Sequence, residues 1–131
     1  MTQLRLAVAD AVGTAAGRLS SALGRGRGET LRGRVTLALA PDALRLLSRE
    51  RTLVLVSGTN GKTTTTAYLA RLLATTGHVG VSTSAYGANM LAGIAAALAA
   101  RPRHQLAVLE CDEMYLPQVM RQVAPTAVVL L

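Results

Sequence analysis

The stretch Leu53-Val54-Leu55-Val56-Ser57-Gly58-Thr59-Asn60-Gly61-Lys62-Thr63-Thr64-Thr65-Thr66 decides how the rest of the chain is read. Its four leading apolar residues run unbroken, the pattern of a strand covered on both faces. A turn bracketed by Gly58 and Gly61 follows. From Lys62 to Ala74 the apolar residues Ala67, Leu69, Ala70, Leu72 and Leu73 recur at helical spacing. Strand, glycine turn, Gly-Lys-Thr and helix together form a P-loop context.

That context asks for these residue types. Gly58 and Gly61 allow the backbone to take positive φ and to approach a phosphate with no Cβ in the way. The amides of Asn60 to Thr64 then face the anion at the positive end of the helix. Lys62 is suited to neutralise β- and γ-phosphate oxygens, and the Thr63 hydroxyl to ligate Mg²⁺. Eight-residue spacing asks for glycine at position 56, where this chain has Val56, so the loop is the shorter Gly-x-x-Gly-Lys-Thr form. A bland glycine turn ahead of a helix is the competing reading; the number of conditions met favours nucleotide binding. The phosphate-binding set is Gly58, Thr59, Asn60, Gly61, Lys62, Thr63 and Thr64.

Downstream, the elements alternate. Val79 to Val81 begins a second strand, and Ser82 to Asn89 is a polar loop. Met90 to Ala100 is a small-residue helix closed before Pro102. Asn89 either caps that helix or faces substrate. Leu106 to Glu110 is a third buried strand, with Leu106, Val108 and Glu110 on one side by alternation. A carboxylate at the end of such a strand commonly reaches Mg²⁺, so Thr63 and Glu110 are the metal candidates. Asp112 is placed to cap a helix over Met114 to Gln122, and Glu113 favours its first turn. Cys111, on the face opposite Glu110, reads as a packed small residue, and His78 as a solvent-facing helix-end residue. Pro125 breaks the last helix, and Thr126 to Leu131 begins a fourth strand. The order β-α-β-α-β-α-β from residue 53 implies an α/β fold with a parallel, doubly wound sheet.

Upstream, Leu4, Ala7, Val8, Ala11, Val12, Ala15, Leu19 and Leu23 form one stripe over residues 2–23, with Arg5 and Arg18 outside it. This amphipathic helix is expected to pack on the domain, since it lacks the Trp or Phe anchors common in membrane-surface helices. Gly24-Arg25-Gly26-Arg27-Gly28 reads as a solvated basic connector. Alternation of Val35, Leu37 and Leu39 suggests a short strand over Arg34 to Ala40. Pro41-Asp42 then opens a helix to about Ser48. The chain divides into residues 1–51, holding the helix, linker and connecting elements, and residues 52–131, the nucleotide-binding unit.

Composition sets the outer bounds. Half of the 131 residues are hydrophobic, which excludes a disordered chain. With three Tyr, no Phe and no Trp, the core must be built from Ala, Leu and Val. The net charge of +7 comes from thirteen Arg and the single Lys62 against seven acids, and nine of those Arg fall in residues 1–51. Such near-exclusive use of Arg points to a GC-rich genome rather than to a nucleic-acid surface. The lone Cys111 excludes an intramolecular disulfide and a cysteine-based zinc site. No run approaches the roughly 20 apolar residues of a spanning helix. Arg5, Asp10 and Arg18 interrupt any signal-peptide core, which leaves a reducing cytoplasm as the fitting compartment.

The wording Ser-Gly-Thr-Asn-Gly-Lys-Thr-Thr-Thr-Thr resembles the central ATP-binding domain of the Mur ligase superfamily. Several further pieces resemble its MurT type, the ATP-dependent subunit of lipid II isoglutaminyl synthase. These are the N-terminal helix and Gly-Arg linker in place of a full UDP-binding domain, Gly87-Ala88-Asn89-Met90 with Gly93-Ile94, and Leu109-Glu110-Cys111-Asp112-Glu113 leading to Leu116-Pro117. The resemblance implies ATP and Mg²⁺ as cofactors, a GatD-type glutaminase subunit as partner and a lipid II-type precursor as substrate. It also implies the reaction: the D-glutamate α-carboxylate is phosphorylated by ATP, and ammonia displaces the acyl phosphate to give an amide. The family carries a Thr-Asn…Asp segment, often a cysteine-rich zinc insertion, and a C-terminal domain after its fourth strand. The present sequence is therefore expected to be the N-terminal piece of a ligase, with catalytic residues beyond Leu131. Other readings are a different Mur-type ligase, a nucleotide-binding module without catalysis, and a basic nucleic-acid-binding protein, for which only the arginines speak.

Overall fold

The computed structural model describes residues 2–24, 28–77, 80–84 and 90–131. Arg25 and Arg27 of the linker, His78, Val79 and the segment Ala85 to Asn89 lie outside the described residues, and with them the capping reading of Asn89.

Four strands form one all-parallel sheet in the order β2-β3-β1-β4: β1 (Thr52–Ser57), β2 (Val81–Thr83), β3 (Leu106–Glu110) and β4 (Ala127–Leu130). β1 is central, with Leu53 opposite Ala107 on one side and Val54 opposite Ala127 on the other. Its continuous apolar run follows from that position, since both faces are covered. Leu53 and Leu55 join Ala107, Leu109 and Cys111 on one face, where α3 (Ala43–Leu47), α5 (Leu91–Ala100) and α6 (Leu116–Gln122) supply Leu44, Ile94, Leu98 and Val119. Val56 and Val108 lie on the other face, under Ala70, Leu69 and Leu73 of α4 (Lys62–Ala74). Helices on both faces make the sheet doubly wound, as the alternation of elements implies.

The elements from residue 52 onward fall close to where periodicity places them, with two adjustments. Ser82 and Thr83 belong to β2 rather than to the polar loop, Ser82 pairing with Ala107. Residues 113–115 form a turn and α6 begins only at Leu116. Asp112 serves that turn, its Oδ1 accepting the Met114 amide at 3.0 Å and its carbonyl the amides of Tyr115 and Leu116.

Two expectations upstream are corrected. The strand expected over Arg34 to Ala40 is the helix α2 (Glu29–Leu39). Its buried positions are Gly33 and Thr36, with the C-cap Ala40 buried at the next helical step, while Leu39 is exposed. Burial of small residues at three- and four-residue steps outweighs a three-residue apolar alternation. The second correction concerns α1 (Thr2–Ala22), which packs on α2 through Ala9, Gly13 and Gly17. A Cβ at Gly13 would meet the Thr36 hydroxyl at 2.6 Å, and one at Gly17 the Gly28 carbonyl at 2.8 Å. The helices touch backbone to backbone, and the predicted stripe faces solvent instead of the domain: Leu4, Val8, Val12, Leu19 and Leu23 are all exposed. Arg32 fastens the pair through Asp10, with Nη2 2.7 Å and Nε 3.0 Å from Oδ1.

Candidate functional site

The helix that follows β1 lies on one face of the sheet and the helix that follows β3 on the other. β1 and β3 are neighbours, so a crevice opens beyond their carboxyl ends where the two connections part. Into it come the glycine turn after Ser57, the N-terminus of α4 and the carboxylate that ends β3.

The turn is shaped by two glycines. Gly58 has φ 138° and Gly61 φ 81°, conformations that side-chain-bearing residues rarely adopt. Gly58 is also crowded: a Cβ there would lie 2.9 Å from Cβ of Leu131, whose amide donates to the Ser57 carbonyl at 3.0 Å. Gly61 is the N-cap of α4 and gives no side-chain cap bond, while Thr65 makes the first amide bond back to the Gly61 carbonyl at 2.9 Å. The amides of the first helical turn thus keep their donors directed outward at the positive end of a 13-residue helix.

Lys62 folds back over this turn. Its ammonium donates to the Gly58 carbonyl and, at 3.2 Å, to the Thr59 carbonyl, and it lies 3.9 Å from the Glu113 carboxylate. Thr63 points the other way, donating its hydroxyl to Glu110 Oε2 at 3.1 Å. Glu110 is buried, and its amide donates to the Ser84 hydroxyl at 2.9 Å, which fixes the end of β3 against the loop after β2. Ser57 and Thr66, flanking the turn, carry buried hydroxyls with no hydrogen-bond partner among the described residues.

Of the residues singled out in the sequence, Gly58 to Thr64 and Glu110 therefore converge at one place. Glu113, expected only to favour a helix start, reaches Lys62 instead. Ser84 and Leu131 carried no sequence signal for their places here, because both arrive through strand pairing. Cys111 is buried beneath the sheet, where burial first and Asp112 second raise its thiol to about 11. Among the described residues no three His, Cys, Asp or Glu side chains gather as a metal cluster. A hydroxyl paired with one carboxylate is a donor set for a hard cation that keeps waters and phosphate oxygens as its other ligands.

An α/β sheet with a glycine turn at its switch point defines the class, and the comparison with known proteins narrows it. Residues 56–131 match the Mur ligase middle domain, and the chain belongs to the Mur ligase family. It is 39% identical over 109 residues to the lipid II isoglutaminyl synthase (glutamine-hydrolyzing) subunit MurT of Streptococcus pneumoniae (strain ATCC BAA-255 / R6), covering 80% of this chain and 24% of that protein. It is 36% identical over 115 residues to the subunit of the same name from Staphylococcus aureus (strain N315), covering 86% of this chain and 26% of that one. The matched part thus spans about a quarter of these relatives.

Proposed function

We propose that the turn at 58–64 is a phosphate-binding loop and that the chain is the ATP-binding part of a MurT-like amide ligase. The observation that carries this is the Thr63 hydroxyl held on the Glu110 carboxylate at the crevice, beside outward amides and one lysine. In this reading Gly58, Thr59, Asn60, Gly61, Lys62, Thr63 and Thr64 surround the phosphates. Thr63 and Glu110 would hold Mg²⁺, which supplies charge neutralisation on the phosphate oxygens when bound. Lys62, released from the loop carbonyls, adds a charge-assisted donor to the same oxygens.

By likeness to the named subunits, the acceptor is the D-glutamate α-carboxylate of a lipid II-type precursor. It is activated by ATP as an acyl phosphate and converted to the amide by ammonia from a GatD-type glutaminase. Use of ATP and a single buried thiol suit the cytoplasm. The test is competition against a fluorescent ATP analogue in the presence of Mg²⁺. ATP and ADP should displace it, and AMP at least tenfold less well, because the contacts are to the outer phosphates. Equal displacement by AMP would contradict the assignment.

A further inference from the structure

We propose that the outward face of α1 docks on an anionic lipid bilayer, with the helix lying in the plane of the membrane surface. Leu4, Val8, Val12 and Leu19 on one side of this helix, and Leu23 in the turn that follows it, are between 46% and 72% exposed. Leu4, Val8 and Val12 recur eleven positions on as Ala15, Leu19 and Leu23. Eleven residues make just over three full helical turns, so the stripe runs nearly straight along a helix about 30 Å long. The opposite side is occupied by α2 through Ala9, Gly13 and Gly17. A helix apolar on one side and packed on the other lies on a membrane rather than across it. No helix among the described residues is long and apolar enough to cross one.

Charge selects the occupant. By helical spacing Arg5 and Arg18 fall at opposite edges of the stripe, where their stems can lie along lipid and their heads reach phosphate. Arg5 donates through Nε to a neutral carbonyl, that of Leu39, at 2.7 Å. The single acid of α1, Asp10, is turned inward and held by Arg32. Residues 1–51 as a whole hold nine Arg against four acids, so this part of the chain is net cationic. A second copy of the chain would set Arg5 and Arg18 against their own counterparts, while Asp10, the acid of α1, is engaged by Arg32. An anionic surface attracts both arginines.

The absence of Trp from the chain provides the reporter. Val12→Trp should shift its fluorescence to the blue with vesicles of phosphatidylglycerol and phosphatidylcholine, and not with phosphatidylcholine alone. In co-sedimentation with the same vesicles, Val8→Glu combined with Leu19→Glu should lose at least tenfold in binding. Arg18→Gln should lose roughly fivefold, and added salt should weaken the wild type. Lys62→Ala should bind vesicles as wild type does, which separates this outcome from nucleotide binding. Unshifted fluorescence, equal binding to the neutral vesicles, or undiminished binding by the double variant would overturn the proposal. So would a dimer of the vesicle-free chain, seen by ultracentrifugation, that the double variant dissolves.

Discussion

Thr63 and Glu110 stand 47 positions apart in the sequence and 3.1 Å apart in the fold. Their meeting is the point on which the site turns. If the pair serves Mg²⁺, Glu110→Ala should weaken Mg-ATP binding about tenfold or more and leave metal-free ATP nearly unchanged, as titration of both forms would read. Equal losses, with a lowered melting temperature in the absence of ligand, would make Glu110 a structural residue. Both residues were legible beforehand, Thr63 from the Gly-Lys-Thr motif and Glu110 from its place at the end of an apolar run. Ser84 and Leu131 were not, because their roles arise from neighbouring strands and leave no local pattern. Cys111 gives an independent check. Its folded thiol keeps its proton up to about 11 against an ordinary 9.0. The native state therefore holds more protons than the unfolded state above pH 9, and stability should fall as pH rises from there toward 11. Denaturant titrations at stepped pH would show it, and Cys111→Ser should flatten the slope.

Among the elements, those from residue 52 onward were legible because hydrophobic period and glycine placement agree there. Three alternating residues suggest a strand where α2 stands, because its fully buried residues are only Gly33 and Thr36, with Leu37 partly buried beside them. Small residues give weak periodicity, yet they allow the closest approach. At Gly33 an added Cβ would overlap the Ala92 carbonyl of α5. Gly33→Ala should cost about 1–3 kcal/mol, as overpacking does. Leu19→Ser on the exposed stripe should change stability by less than about 0.5 kcal/mol. Thermal melts of the two variants would decide, and a reversed order would mean that α1 packs through its large residues after all. The stripe on α1 follows the same rule: amphipathicity fixes which side of α1 is apolar, while the fit of Gly13 and Gly17 to α2 fixes which side is buried.

At the scale of the molecule, parallel topology brings turn, helix end and carboxylate to one crevice, and the fold class was readable from the order of elements alone. Phosphoryl transfer depends on positioning and charge, so a partial site loses most of its rate. The matched part covers about a quarter of the MurT subunits it resembles. We therefore expect these 131 residues, mixed with a glutaminase subunit, glutamine, Mg-ATP and lipid II, to yield no amidated product by mass spectrometry. Product above a no-protein control would show that this stretch suffices. The claim beneath all of this is that the loop at 58–64 holds Mg-ATP, and calorimetry of the chain and of Lys62→Ala tests it most directly. Saturable binding at one site is expected, weakened at least tenfold in the variant with its melting unchanged; equal affinity in the two proteins would contradict a phosphate-binding role for the loop.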